Sequence, residues 1–261
     1  MHDALFLALA FVFGAAFGSF LNVLIYRLPR DISIIKPGSH CPDCKKPIRP
    51  YDNIPVISYL ILRGKCRHCG ARISPRYMLV EVLSGLLVLF SLYYFGMNVG
   101  GFEAAFLSLV FIAVFFIDLD FRIIPDFFTL PGIAIGLAVS LVPGAFVNWV
   151  DALIGIAVGG GVFYLIGKLG ELLFKKEAMG FGDVKFAAML GAFLGWPNLL
   201  LIFVLASFLG SVIGLSIIFF FARGKGRSTY VPFGPFLVVA ATIAIYFGNR
   251  IIAAYMNFIR G

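Results

Sequence analysis

Hydrophobic positions in this chain come in long unbroken runs, and polar positions gather between them. Residues 4–26 read ALFLALAFVFGAAFGSFLNVLIY, without a charge. Further apolar runs follow at about 80–97, 102–118, 127–143, 151–173, 184–196, 199–222 and 231–248. A helix needs roughly 20 apolar residues to cross the hydrocarbon core of a bilayer. A spanning segment must also satisfy its backbone internally, so runs of this length argue helices rather than barrel strands. The uncharged run from Phe186 to Ala222 has 37 residues, too many for one span. Trp196-Pro197-Asn198 is the expected turn that divides it. The pattern predicts an all-α polytopic membrane protein with eight transmembrane helices.

Composition agrees: 61% of residues are hydrophobic, 13% are charged and the mean hydropathy is +1.00. Soluble domains carry about 25% charged residues. The net charge is +8, and eleven of the 21 Lys and Arg lie between Arg27 and Arg76. Positive loops stay in the cytoplasm. An outside N-terminus then puts residues 27–78, Arg122, Lys175, Lys176 and the RGKGR loop (223–227) on the cytoplasmic side. The opposite loops, near 97–101, 143–150 and 197–198, hold no Lys or Arg. Both termini are expected outside, with Arg250 and Arg260 as the exception to the charge rule. The first run lacks a basic start and is followed by RLPR, which argues a retained helix, not a cleaved signal. No basic face interleaved with aromatics is evident, so membrane lipid, and not nucleic acid, is the expected surroundings.

Three regions are expected: 1–26, a first membrane helix; 27–78, a cytoplasmic loop domain; and 79–261, a seven-helix membrane domain. The loop domain is too small to rest on a hydrophobic core alone. It carries Cys41-Pro-Asp-Cys44 and Cys66-Arg-His-Cys69, with 21 residues between the pairs. Two such knuckles predict a structural tetrathiolate zinc site, closed to substrate, in a zinc-ribbon-like fold. His68 is a less favoured alternative ligand.

The acids carry the chemistry. Asp118, Asp120 and Asp126 lie in DLDFRIIPD, and Asp183 lies in MGFGDVKF. The expected topology sets Asp118 at the end of the third helix and Asp183 at the start of the sixth, on the same membrane face. Ionisable groups there are costly and tend to be functional. Two carboxylates at one depth suggest a pair that shares a proton and activates water. Gly180 and Gly182 are read as permitting a positive φ and close approach to that carboxylate. Lys185 either snorkels or steadies a carboxylate. Asp126 follows Pro125 and is read chiefly as a helix cap, and Asp120 is ambiguous. Glu81 is either a helix-start charge or a partner for a cationic substrate group. Helix dipoles make Asp183 the expected base and Asp118 the expected acid. The small-residue pairs Gly14/Gly18, Gly155/Gly159, Gly191/Gly195 and Gly210/Gly214 are read as helix-packing contacts.

In order along the chain stand GSFLNVLIYRLP (18–29), the two cysteine knuckles, IRPYDNIPVISYL (48–60), Arg76 to Glu81, IDLDFRIIPD (117–126), MGFGDVKFAAMLGAFLGW (179–196) and PFGPFL (232–237). Together these resemble the type IV prepilin peptidases over nearly the whole chain. One departure is Met78, where relatives often have proline. The resemblance implies a bacterial inner-membrane aspartic protease of the G-x-G-D type with two activities. It cleaves the leader of prepilins and pseudopilins on the cytoplasmic side, after a glycine. It then N-methylates the new terminus, usually phenylalanine, with S-adenosylmethionine as donor. It also implies Asp118 and Asp183 as the catalytic pair, and links the cysteine-bearing loop to methylation. Alternatives are a leader peptidase without methylation, a related G-x-G-D intramembrane protease, a transporter, or a zinc-ribbon adaptor. Sequence leaves the oligomeric state open.

Overall fold

Each apolar run forms a helix, and local chemistry sets where it stops. The computed structural model describes residues 4–175, 180–221 and 232–260. Lys176, Met179 and the RGKGR loop lie outside the described residues. The helices are α1 (Ala4–Arg27), α2 (Ile57–Ile61), α3 (Pro75–Phe95), α4 (Val99–Phe121), α5 (Asp126–Val139), α6 (Trp149–Phe174), α7 (Phe181–Phe221) and α8 (Gly234–Arg260). Ser74 caps α3 by accepting the Arg76 N–H, with Pro75 in the first turn, where its missing N–H costs nothing. Asn148 caps α6 by accepting the N–H groups of Val150 and Asp151, each at 3.0 Å.

α7 is two helices joined at Gly195, whose φ of 72° and ψ of 169° break the helical path. The break falls one residue before the expected Trp196-Pro197-Asn198 turn. Pro197 then sits in the first turn of the second half, and the Asn198 side chain donates back to the Leu194 carbonyl at 3.1 Å. Counting both halves, the eight expected apolar segments are present. Among the described residues, six elements are long and apolar enough to cross a membrane: α1, α3, α4, α6, α7 and α8. α5 has 14 residues, about 21 Å at 1.5 Å per residue, which is shorter than the hydrocarbon core. α8 runs on to Arg260, past the expected end at residue 248.

The chain forms two compact units, residues 1–113 and 114–261. In the first, α1 packs against α3. A side chain on Gly14 would strike the Ser84 carbonyl and Gly85, and one on Gly18 would strike Glu81 and Ser84. Ala10, Val88, Leu92 and Ala105 form the adjoining apolar cluster.

In the second unit α7 is central. Phe186, Ala187, Met189, Leu190 and Ala192 on its first half are fully buried. α6 meets α7 backbone to backbone at Gly155 and Gly191, and Gly159 lies against Ala187. α5 brings Gly132 onto Met189 and Gly136 onto Ala192 and Phe193. In lipid no hydrophobic force drives helices together, so close backbone approach is what holds them. Of the four glycine pairs, two act wholly in this way. Gly195 makes the kink instead, and Gly214 has open space beside it.

Candidate active site and metal centre

Each cysteine knuckle is a short turn closed by backbone bonds. Cys41 N–H donates to the Lys46 carbonyl and Cys66 N–H to the Ala71 carbonyl, at 3.0 and 2.8 Å. Single antiparallel bridges, His40 to Pro47 and Lys65 to Arg72, sit at the base of each turn. The turns bring the four Sγ atoms within 4.8 Å of one another. Tetrahedral zinc with bonds of about 2.3 Å needs sulfurs about 3.8 Å apart, and the Cys41 and Cys69 sulfurs are 3.8 Å apart. The donor set therefore fits a tetrathiolate metal ion. His68 stands outside the cluster.

The thiols are electrostatically unequal. Backbone N–H groups of Cys69 and His68 pull Cys66 down to about 7. Against the N–H of Ala71, desolvation and the three neighbouring sulfurs push Cys69 up to about 12. Four thiolates this close need a cation between them. Arg67 in the second knuckle grips Asp52 with its Nε and Nη2 at 2.6–2.9 Å. That hydrogen bonding holds the Asp52 carboxyl below the usual carboxylate range.

Arg27 and Glu81 tie this segment to its helices, and Asn22 ties α1 to α3. Arg27, buried at the end of α1, donates to the carbonyls of Ser33 and Pro37 at 2.8 and 2.7 Å. Asn22 donates to the Tyr77 carbonyl at 3.0 Å. Glu81 lies in the second turn of α3, not the first, so the helix-start reading does not describe it. It is buried, accepts the Val56 N–H at 2.7 Å and takes a hydrogen bond from Ser19. Val56 has a φ of 64°, a costly conformation for a β-branched residue. Asn22, Arg27 and Ser19 were not singled out from sequence, although all lie in the GSFLNVLIYRLP stretch. A cleft of about 530 Å³ in the same segment is lined by Tyr59, Arg63, Lys65, Arg72, Ser74 and Pro75.

In the second unit the two aspartates lie at the ends of separate helices. Asp118 is in the last turn of α4 and Asp183 in the first turn of α7. Asp118 is 5% exposed. The two carboxylates lie within electrostatic reach of each other, and Asp183 accepts the Gly180 N–H. Asp118 Oδ2 accepts the N–H of Gly234, 116 residues away at the start of α8, at 2.9 Å. The positive end of α8 thus faces Asp118 and offsets the unfavourable end of α4. Helix dipoles therefore do not set Asp118 apart as the acid or Asp183 as the base.

The neighbours differ from expectation. Gly182 is helical, outside the positive-φ region. Its use is close approach: a side chain there would meet the Ile124 backbone at 3.3–3.4 Å. A side chain on Gly180 would meet Asp183 Oδ2 at 3.3 Å. Asp126 makes no cap, because Pro125 holds the cap position without a side-chain bond. Instead Lys185 Nζ grips both Asp126 oxygens at 2.5 and 2.7 Å. Lys185 therefore steadies Asp126 and clamps the start of α7 to the start of α5. Asp120 is exposed at the end of α4.

Comparison with known proteins decides the family. Residues 12–95 match the bacterial peptidase A24 N-terminal domain, and residues 105–215 match the type IV leader peptidase family. The chain belongs to the type IV leader peptidase family. A prepilin leader peptidase/N-methyltransferase of Aeromonas hydrophila is 38% identical over 97% of this chain and 94% of its own length. One of Pseudomonas aeruginosa is 35% identical over 98% of this chain and 96% of its own. One of Myxococcus xanthus is 42% identical over 86% of this chain and 67% of its own. No solved structure matches the chain. As a leader peptidase of this family the chain is a multi-pass membrane protein, with the aspartates on α4 and α7 in the matched catalytic-family region.

Proposed function

We propose that this leader peptidase removes the leader from prepilins and pseudopilins and then N-methylates the exposed terminus with S-adenosylmethionine. The observation that carries the reading is the approach of two carboxylates, Asp118 and Asp183, from the ends of separate helices. A pair so placed holds one proton between two acids. One carboxylate takes a proton from water as the water oxygen attacks the scissile carbonyl carbon. The other gives its proton to the carbonyl oxygen. The tetrahedral diol collapses, the C–N bond breaks, and the leaving amine takes the returning proton. Gly180 and Gly182 hold the start of α7 close, and the Lys185–Asp126 pair fixes its position.

The protein lies in the bacterial inner membrane with both termini outside and the aspartates facing the cytoplasm. The excess of Lys and Arg in residues 27–76 supports this orientation. Residues 27–78 bind a structural zinc through Cys41, Cys44, Cys66 and Cys69. Bound zinc would supply folding energy to a segment too small to fold on its core, and takes no part in methyl transfer. The donor binds on the same segment, at the cleft beside Arg63 and Arg72. Glu81 acts there by holding the Val56 loop.

The test is to incubate purified protein with a prepilin-like peptide and S-adenosylmethionine and follow product mass. Leader loss followed by a gain of one methylene per chain is expected. Cleavage without that gain would leave a peptidase alone; no cleavage would remove the reading.

A further inference from the structure

We propose that Gly234 is a positioning residue for proteolysis: its backbone N–H holds Oδ2 of Asp118, leaving Oδ1 as the oxygen that works on water and substrate. The inference rests on the leader-peptidase reading of Asp118.

Among the described residues, the Asp118 carboxylate accepts a long-range hydrogen bond from the Gly234 N–H. The donor is the first residue of a 27-residue helix. The opening N–H groups of a helix have no partner within it. They carry the positive end of the helix dipole, which suits a carboxylate. Asp118 therefore sits between the C-terminus of α4 and the N-terminus of α8. One oxygen is fixed to the scaffold and one remains for chemistry.

The residue type follows from the spacing. A Cβ on Gly234 would lie 2.5 Å from Oδ2, 2.9 Å from Cγ and 3.3 Å from Cβ of Asp118. No side chain fits unless the carboxylate moves. Gly234 needs no unusual φ, so space and not backbone freedom selects glycine. Pro235 follows within the first turn, where a missing N–H is harmless. The neighbouring backbone is ordered by bonds from the Phe236 and Leu237 N–H groups to the Phe233 carbonyl, at 3.0 and 3.2 Å. A catalytic carboxyl fixed in this way spends no reorganisation at the moment of reaction.

Two variants separate the donor from the space. Gly234→Ala adds the Cβ. Replacing Gly234 by glycolic acid through nonsense suppression turns the amide into an ester, which deletes the N–H and adds no side chain. Each is assayed for leader cleavage and, separately, for methylation of a pre-cleaved peptide. Both should lower the kcat of cleavage by roughly 10- to 100-fold, the equivalent of losing a hydrogen bond to a charged group. KM should stay within about twofold, and methylation should be unchanged. Gly161→Ala, at a site with open space, should match wild type. Full cleavage by the glycolic-acid variant overturns the proposal. Equal loss of both activities also overturns it, because it makes Gly234 a packing residue. Failure of the wild type to cleave would instead remove the leader-peptidase reading itself.

Discussion

Glu81 and Asp118 are both buried carboxylates that accept a backbone N–H from far along the chain. They differ in what lies beyond the bond. Glu81 is satisfied by Val56 and Ser19, and its product is the shape of the 50–57 loop. Asp118 keeps a second carboxylate, Asp183, within reach. We therefore propose Glu81 as an anchor for the methyl-transfer segment and not as the base. Glu81→Gln can still accept the Val56 N–H and should keep methylation within a few-fold. Glu81→Ala leaves that part-buried N–H unpaired and should lower methylation by about tenfold. Cleavage should survive in both. Methylation lost in the Gln variant would make the carboxylate itself the reacting group.

How far these residues were legible depends on what kind of atom makes the contact. Sequence points to Asp118 and Asp183 because ionisable side chains stand out in apolar runs and the expected topology sets them at one depth. The four cysteines were found from spacing. Gly234 escaped because its contribution is a backbone N–H, which no side-chain pattern advertises; PFGPFL read only as a shared stretch. Lys185 and Asp126 are 59 residues apart, and local spacing cannot pair residues that distant. Helical spacing cannot say that Gly195 bends the chain while Gly191 packs.

At the scale of elements, the second unit depends on how closely α6 and α7 approach. Gly155 and Gly191 meet through their backbones, so a Cβ on either would overlap the partner's carbonyl. Gly155→Val should separate the helices and cost stability in the overpacking range, about 1–3 kcal/mol or more. The first half of α7, bearing Asp183, would shift with them. Thermal unfolding in detergent should show a lower midpoint and cleavage should fall in parallel. Gly161→Val, on the same helix with open space beside it, should leave both near wild type. An unchanged midpoint in Gly155→Val would mean that the backbone contact is not what holds α6 to α7.

At the scale of the molecule, the proposed chemistry divides between the two units. The cysteine cluster, the cleft and Glu81 lie in residues 1–113; both aspartates, Lys185 and Gly234 lie in residues 114–261. Metal should then matter to one activity more than the other. Elemental analysis of purified protein should find one zinc per chain, and Cys44→Ser should lose it. That variant should lose methylation while retaining substantial cleavage. Zinc retained in the variant would show that the four sulfurs do not form the site.

The most direct measurement of the central claim is the cleavage rate of a prepilin-like peptide by purified Asp118→Asn and Asp183→Asn proteins, with methylation of a pre-cleaved peptide followed alongside. A shared pair predicts that each substitution lowers cleavage by about 10²–10⁴-fold, the usual worth of a general acid or base, while methylation persists. Near-normal cleavage by either variant would contradict the pair.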